Sequence, residues 1–501
     1  MRKTRGLRLL AALTAGAVCA PAFGTGSAAA AGAPPAPEEA LEAARAALDP
    51  DPGAPAARDT TLAMRDLALA VPKLRGKERR AAIRILARPT DNPDPNRDTY
   101  AVREEPPLCN AHFCVHYVRT TPDAPSPIDA NLNGVPDYVE SVLAAAEASY
   151  NVQNQSLGWP RAKSDGTLGG GNGLTDIYIA NVGDSRIFGY AVPDPPPAQQ
   201  CARSCFSYLV VDNDYSPAEY GYPDPGIPLR VTLAHEYNHV LQFGIDAVQD
   251  GWLFESTAVW AEEKTFPNDN DYLNYLPRFA KTSTTPITQF SGGRGLRIYG
   301  LGVFQHWLDS GDGGYGPEVV LGSWKSSTKT KPKDFGIAAV DRSIRQRGGK
   351  GFAQEFVKFA AATAEWQVTG GFPDSLAYPT VKRKGKLGRG RKTVTLDHTS
   401  YALFDVRPGS KSTLKLKVKA ERGTESGIAL VGLDADSRSV TKKVKVLKRG
   451  GNGAVKLKGA DEFERVTAVL VNADGRVKGY DRRKRDWIYS RNNARYRATI
   501  R

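Results

Sequence analysis

The apolar residues of this chain change their spacing twice, and those changes restrict the fold more than any other feature. From about Thr99 they form short β-type runs, Phe113–Val118, Asp176–Ala180 and Phe206–Val211. From Leu229 to about Trp366 they follow helical spacing, including a long stretch from Phe335 that breaks at Gly348 and Gly349. Beyond Thr380 strand patterning returns. Leu414–Lys419 alternates apolar residues with Lys, and Val444–Val446 and Val466–Val471 follow between Gly, Asn and Asp turns. Strands followed by helices predict an α+β domain, and the later short strands predict an all-β sandwich. The 501 residues suffice for about two to three domains.

Arg2, Lys3, Arg5 and Arg8 precede the uncharged apolar stretch Leu9–Ala20 and the small-residue run Ser27–Ala31, the pattern of a signal peptide over 1–31. The protein is therefore expected to be secreted. That stretch is too short for a membrane span, and no later stretch is long and apolar enough to make one. Residues 32–95 hold three amphipathic helical patterns, Glu38–Leu48, Thr61–Leu69 and Glu78–Ala87, ended by Pro89 and the cluster Asp91–Pro95. They form either a pro-segment or a helical extension that stays attached. The expected boundaries are then a main domain over 96–374, a basic linker over 375–392 and the sandwich over 393–501.

The formal charge of +14 is unevenly spread. Val381–Arg501 carries 32 Lys and Arg against 12 Asp and Glu, whereas the preceding residues carry 36 against 42. The basic part offers a surface to an anionic cell-wall polymer. The other reading is that Lys at alternate strand positions keeps sheet edges soluble. It has no aromatic platform for stacking bases, so no nucleic-acid partner is expected. Cys19 falls in the signal segment. The remaining cysteines form two close pairs, Cys109 with Cys114 and Cys201 with Cys205, expected as local disulfides in an oxidising compartment.

The strongest chemical signal is His235-Glu236-Tyr237-Asn238-His239. On a helix, residues i and i+4 share a face, so both imidazoles reach one metal ion, and the Glu at i+1 is placed to meet a water there. Pro228 suits the first turn, and Leu233, Val240 and Leu241 supply a buried face. A catalytic zinc keeps three protein ligands, and the helical pattern Trp252–Glu263 supplies Glu255. Glu262, on the same face, is the rival ligand, or else the acceptor that orients a ligand histidine.

This motif, with E-x-x-A at Glu255–Ala258 on a second helix, resembles the gluzincin metallopeptidases, in particular their aminopeptidase-like branch and a set of uncharacterised secreted bacterial metalloproteases. The similar segments lie between about Cys109 and Trp307. In that branch the Glu ligand stands in N-E-G-x-A, and here Ser256 replaces the Gly. A further motif of the branch, Y-x-K-G, is similar to Tyr299–Gly302, with Leu301 in place of the Lys. The resemblance implies a zincin-like fold, with zinc held by His235, His239 and Glu255. It implies Glu236 as general base toward a peptide or protein substrate, and Tyr299 as hydrogen-bond donor to the oxyanion. No G-x-M-E-N segment is present, so an endopeptidase is expected. It also implies that substrate adds as a strand to a sheet edge. Tyr208, Leu209 and Val210, in the nearest strand pattern before His235, are the expected partners.

A second signal is Asp129–Glu140. Oxygen side chains at Asp129, Asn131, Asn133, Asp137 and Glu140, the carbonyl of Val135 and a turn at Gly134 match an EF-hand loop position for position. Pro122, Pro125 and Pro127 forbid a preceding helix, so a lone structural calcium (Ca2+) site is expected. Asp165–Asp176 is read as a plain loop or a further calcium site, and His112, His116, His306 and His398 offer no comparable set. The expectation for the whole is an α+β zincin-like catalytic domain followed by a C-terminal all-β sandwich, a secreted metallopeptidase dependent on zinc (Zn2+). The alternative is a non-catalytic exported surface protein with a degenerate fold of that kind, which binds an anionic cell-wall polymer.

Overall fold

The computed structural model describes residues 35–501 apart from 51–57, 59, 92–98, 195–202, 290–294, 312–313, 328–335, 369–371, 373, 409–411, 435, 437–438, 448–450 and 482–485. The expected signal peptide and Cys201 lie outside the described residues.

Three helices come first, α1 Pro37–Leu48, α2 Thr61–Ala70 and α3 Gly76–Ile85. Leu41, Met64, Leu67 and Ala82 on their apolar faces are buried, as an amphipathic pattern requires. They cover one face of a five-stranded sheet built from β1 Leu108–Cys109, β2 Phe113–His116, β3 Thr175–Ala180, β4 Gly189–Pro193 and β5 Ser207–Asp212. The strand order is β1-β2-β3-β5-β4. Tyr178, Val192, Tyr208 and Val210 meet the three helices. Ile177, Ile179, Leu209 and Val211 point the other way, the alternation of a sheet covered on both faces. That second face is packed by α4 Asp137–Tyr150 and, after the short turn α5 Pro217–Tyr220, by α6 Gly226–Asp246.

Strand β5 pairs with β3 on one side and with β4 on the other. Its backbone groups are committed on both flanks. This corrects the expectation that Tyr208, Leu209 and Val210 receive a substrate strand. The outer edge belongs to β4, which begins at a glycine and ends at a proline and so gives little strand signal.

The α-helical part continues through α7 Gly251–Thr265, α8 Leu276–Lys281, α9 Gly302–Ser310, α10 Glu318–Ser327, α11 Ile337–Gln346 and α12 Phe352–Ala362. Among the described residues, no helix is long and apolar enough to cross a membrane.

The C-terminal part is all β. Its strands are β6 Arg383–Lys386, β7 Lys392–Leu396, β8 Ser400–Val406, β9 Thr413–Ala420, β10 Ser426–Asp434, β11 Val440–Leu447, β12 Asn452–Lys458, β13 Phe463–Asn472, β14 Val477–Asp481, β15 Asp486–Tyr489 and β16 Ala494–Ile500. One sheet has the order β11-β10-β13-β8-β6 and a second β12-β9-β16-β7, with β14 and β15 as a separate pair. The two larger sheets enclose a core that includes Phe404, Leu416, Val418, Leu430, Leu470 and Tyr496. Residues 383–386, expected as linker, pair parallel to β8 instead; Arg-Lys-Gly-Lys has no apolar alternation to announce a strand.

The outer face of the first of these sheets docks on α12. A Cβ on Gly427 would come within 2.2 Å of Val357 Cγ2, so only glycine allows this approach. Beside it, Glu365 accepts from Arg465 Nε at 2.9 Å and Nη2 at 2.6 Å, and from Arg383 Nη2 at 3.0 Å. The helical and β parts therefore share one continuous core.

Candidate metal centre

Helix α6 carries His235, Glu236 and His239, and α7 carries Glu255. Residues 247–250 join the two helices, so they pack as a hairpin. His235 Nε2 stands 3.3 Å from Glu255 Oε2, and His239 Nε2 stands 3.8 Å from the same oxygen. One ligand atom from each of the three residues falls within 4.8 Å of the others, and all three are buried. Two imidazole nitrogens and a carboxylate oxygen at such separations suit zinc. Glu262, the rival ligand, lies behind His235, where it accepts from Nδ1–H at 2.5 Å. Its carboxylate does not enter the group formed by His235, His239 and Glu255.

The tautomer of His239 follows from a chain of buried amides. Helix α4 runs on into a π-helical turn, Asn151–Ser156, that presents Gln153. Gln153 Nε2 donates to the Ala234 carbonyl at 2.8 Å, so its Oε1 accepts from Asn238 Nδ2 at 3.0 Å. Asn238 Oδ1 then accepts from Gln242 Nε2 at 2.6 Å, which also donates to the Phe254 carbonyl at 3.1 Å. Gln242 Oε1 is left to face His239 Nδ1 at 2.7 Å. A carbonyl accepts only, so the whole chain has one sense. It places the proton of His239 on Nδ1 and the lone pair on Nε2, toward Glu255. Both histidines are held as metal ligands usually are.

Glu236 lies beside this set, under the edge strand β4. A Cβ on Gly189 would come within 2.7 Å of Thr232 Cγ2 and 2.9 Å of the Val210 carbonyl, so glycine lets β4 settle close to α6. The hydroxyl of Thr61, at the start of α2, donates to Glu236 Oε2 at 2.7 Å. The same hydroxyl accepts from the Ala191 N–H of β4 at 2.9 Å. Tyr299, buried ahead of α9, has its ring centroid 5.9 Å from that of His235.

Arg58 fills the space between Tyr299 and Glu262. Its Nη2 reaches Glu262 Oε2 at 2.8 Å, and its Nη1 bonds Asp271 and the Tyr275 hydroxyl. The guanidinium lies 5.0 Å from the Tyr275 ring centroid and 5.6 Å from that of Tyr299. Burial raises the Asp271 carboxyl, but Arg58 with bonds from Tyr222 and Asn274 more than reverses this, so its pKa lies below the ordinary value. Burial pushes Glu262 up against the opposing pull of Arg58 and His235.

The loop Asp129–Glu140 is closed on itself by hydrogen bonds. Gly134 has φ +90°, the conformation expected of its turn position. Asp129 accepts from the backbone N–H groups of Asn133 at 3.1 Å and Gly134 at 2.8 Å. The two Glu140 oxygens accept from the Asn131 and Asn133 side chains at 2.9 Å and 2.7 Å. Helix α4 then starts at Asp137, and residues 117–128 directly before the loop form no helix. Asp165 and Asp176 do not form a second such loop. Both bond Arg88, which follows α3, as does Asp194 at 2.7 Å. His116 joins the same cluster, bonding Glu104 at 2.7 Å and Asp176 at 3.1 Å. Cys109 and Cys114 are disulfide-bonded as expected, and Cys205 is disulfide-bonded as well.

No family model matches the chain, and no curated protein matches it. Among solved structures, one described as "Family 16 Carbohydrate Binding Module-2" is similar over 22% of this chain and 76% of that chain, at 14% identity and a TM-score of 0.15.

Proposed function

We propose that this protein is a zinc-dependent metallopeptidase whose α+β part is zincin-like. The convergence of His235 Nε2, His239 Nε2 and Glu255 Oε2, with Glu236 beside them, carries this reading. His235, His239 and Glu255 would hold zinc, which when bound supplies a Lewis acid for the scissile carbonyl and acidifies water. Glu262 and Gln242 keep the two imidazoles oriented for that role. Glu236 takes a proton from the attacking water and returns it to the leaving amine. Tyr299 donates to the oxyanion that develops on the carbonyl. The loop Asp129–Glu140 would hold calcium as a structural ion, since its oxygen donors and Gly134 suit that cation. The test is hydrolysis of casein by the zinc-loaded full chain and its Thr61→Ala variant. Cleavage that disappears with Glu236→Gln supports the reading; no cleavage by either form refutes it.

We further propose that the second C-terminal sheet binds a linear anionic polymer of polyol-phosphate type. Lys415, Lys417 and Lys419 lie on β9, and Arg495 and Arg497 on β16, which are the interior strands of that sheet. Edge protection does not account for cations there. Lys456 stands opposite Lys415 and Arg497 opposite Lys419, like-charge pairs that cost stability unless an anion compensates. Tyr496, the sole aromatic residue of the four strands, is buried in the core, which leaves nothing on this face to stack on bases or sugars. Binding of poly(glycerol phosphate) that weakens with salt and with Lys417→Glu is expected. Equal binding of wild type and that variant would count against it.

A further inference from the structure

We propose that the chain around Arg58 and Thr61 acts as an internal pseudosubstrate, and that the pocket filled by Arg58 selects an arginine side chain in the peptides cleaved. The proposal rests on the peptidase reading above.

The edge of β4 that faces away from β5 is the place where an extended peptide would add to this sheet. Two N–H groups along it already have partners. Phe188 N–H, just before the strand, donates to the Arg58 carbonyl at 3.0 Å, and Ala191 N–H donates to Thr61 Oγ1 at 2.9 Å. The chain thus meets the edge at two points, the Arg58 carbonyl and the Thr61 hydroxyl, the latter on the first residue of α2. Where it passes Glu236, the Thr61 hydroxyl occupies the carboxylate that must accept a proton.

The Arg58 side chain leaves this segment for a pocket beside the metal ligands. The pocket offers two carboxylates, Glu262 and Asp271, the hydroxyls of Tyr222 and Tyr275, and the rings of Tyr275 and Tyr299. Both carboxylates are at most 3% exposed. Among the described residues, Arg58 is the one Arg or Lys that pairs with them. Without a cation the pocket would bury two carboxylates with no countercharge from Arg or Lys, which is costly. A guanidinium meets both carboxylates through its planar fork and stacks flat beside the rings, whereas a lysine ammonium is a single point charge. From Arg58 a groove of about 930 Å³ opens between Phe188, Tyr220 and Tyr222 on one side and Asn274 and Tyr275 on the other, room for the rest of a peptide.

Two measurements on the full chain test this. In the first, quenched peptides that differ at one position, Arg, Lys, Ala or Glu, are offered to zinc-loaded wild type and Thr61→Ala. Thr61→Ala should raise kcat/KM by about tenfold, the worth of one buried hydrogen bond. Arginine peptides should lead, and the lead should shrink with Asp271→Asn. An equal or lower rate for Thr61→Ala, or no preference for arginine, overturns the proposal. The second needs no catalysis. Arg58→Ala, and Arg58→Met in case the first does not fold, should melt below wild type and regain several degrees in millimolar N-acetyl-arginine amide. N-acetyl-norleucine amide should not restore them, and equal rescue by both amides overturns the pocket assignment. Rescue by the arginine amide with no hydrolysis by any form would strike the peptidase reading and leave the arginine pocket standing.

Discussion

Replacing Gln242 with leucine should separate metal affinity from everything else the centre does. Gln242 is fully buried and ends the amide chain that starts at the Ala234 carbonyl. Leucine is close in size and has no polar atoms. Its introduction strips His239 Nδ1–H of its acceptor and Asn238 Oδ1 of its donor, while the Phe254 carbonyl, inside α7, keeps its helix bond. Each buried group left unsatisfied costs about 1–3 kcal/mol, so stability should fall by roughly 2–4 kcal/mol after relaxation. Loss of the group that orients a ligand histidine weakens metal binding about 10–100-fold, or about 1.4–2.7 kcal/mol. Gln242→Glu divides the two effects. Its carboxylate still accepts from Nδ1–H, so zinc affinity should recover above that of the leucine variant. It also confronts two acceptors, Asn238 Oδ1 and the Phe254 carbonyl, so stability should remain low. Zinc affinity is read by competition with a chromophoric chelator and stability by thermal melting. A leucine variant that binds zinc as wild type does, or a glutamate variant as weak as the leucine one, refutes the assigned sense of the amide chain.

The remaining expectations concern the rest of the fold. Removing calcium with EGTA, or Asp129→Ala, should lower Tm by about 5 °C, because the loop fixes the start of α4, and Tyr138 there donates to the Asp212 carbonyl at 2.7 Å; identical melts with and without calcium would deny the loop that role. Burial, with a smaller push from Lys264, takes the His306 imidazole down to about 3. The unfolded chain takes up that proton near pH 6.5 and the folded chain does not, so stability should drop by about 1.4 kcal/mol per pH unit from pH 6.5 toward pH 3. His306→Phe should flatten this part of the pH profile of denaturant unfolding, and parallel profiles for the two proteins would contradict it.

That His235, His239 and Glu255 come together was legible because their geometry is local. Two histidines four apart on one helix must share a face, and the short connection to α7 brings Glu255 back to them. The closed turn of Asp129–Glu140 was legible for the same reason, since its oxygen-bearing side chains lie within one short stretch. What the sequence did not disclose is carried by distant partners. Thr61 meets Glu236 across 175 positions and Arg58 meets Asp271 across 213, and neither belongs to a motif. Gln153 and Asn238 are 85 positions apart, and the π-helical turn that aims Gln153 has no periodic signature. Strand β4 was missed because a glycine and a proline bound it, and with it went the true edge of the sheet. The choice between Glu255 and Glu262 also lay beyond periodicity, because both are on one face of α7. Arg58 and His235 Nδ1 hold the two oxygens of Glu262, so Glu255 is the carboxylate that faces both Nε2 atoms.

The most direct measurement is zinc content per chain by mass spectrometry after dialysis, for the full-length protein and four variants. Wild type and Glu236→Gln should each retain one zinc. His235→Ala and Glu255→Ala should retain almost none, and Glu262→Ala should keep its zinc with weakened affinity. A wild type that holds no zinc, or a Glu255→Ala variant that stays loaded while Glu262→Ala is empty, would contradict the metal centre described here.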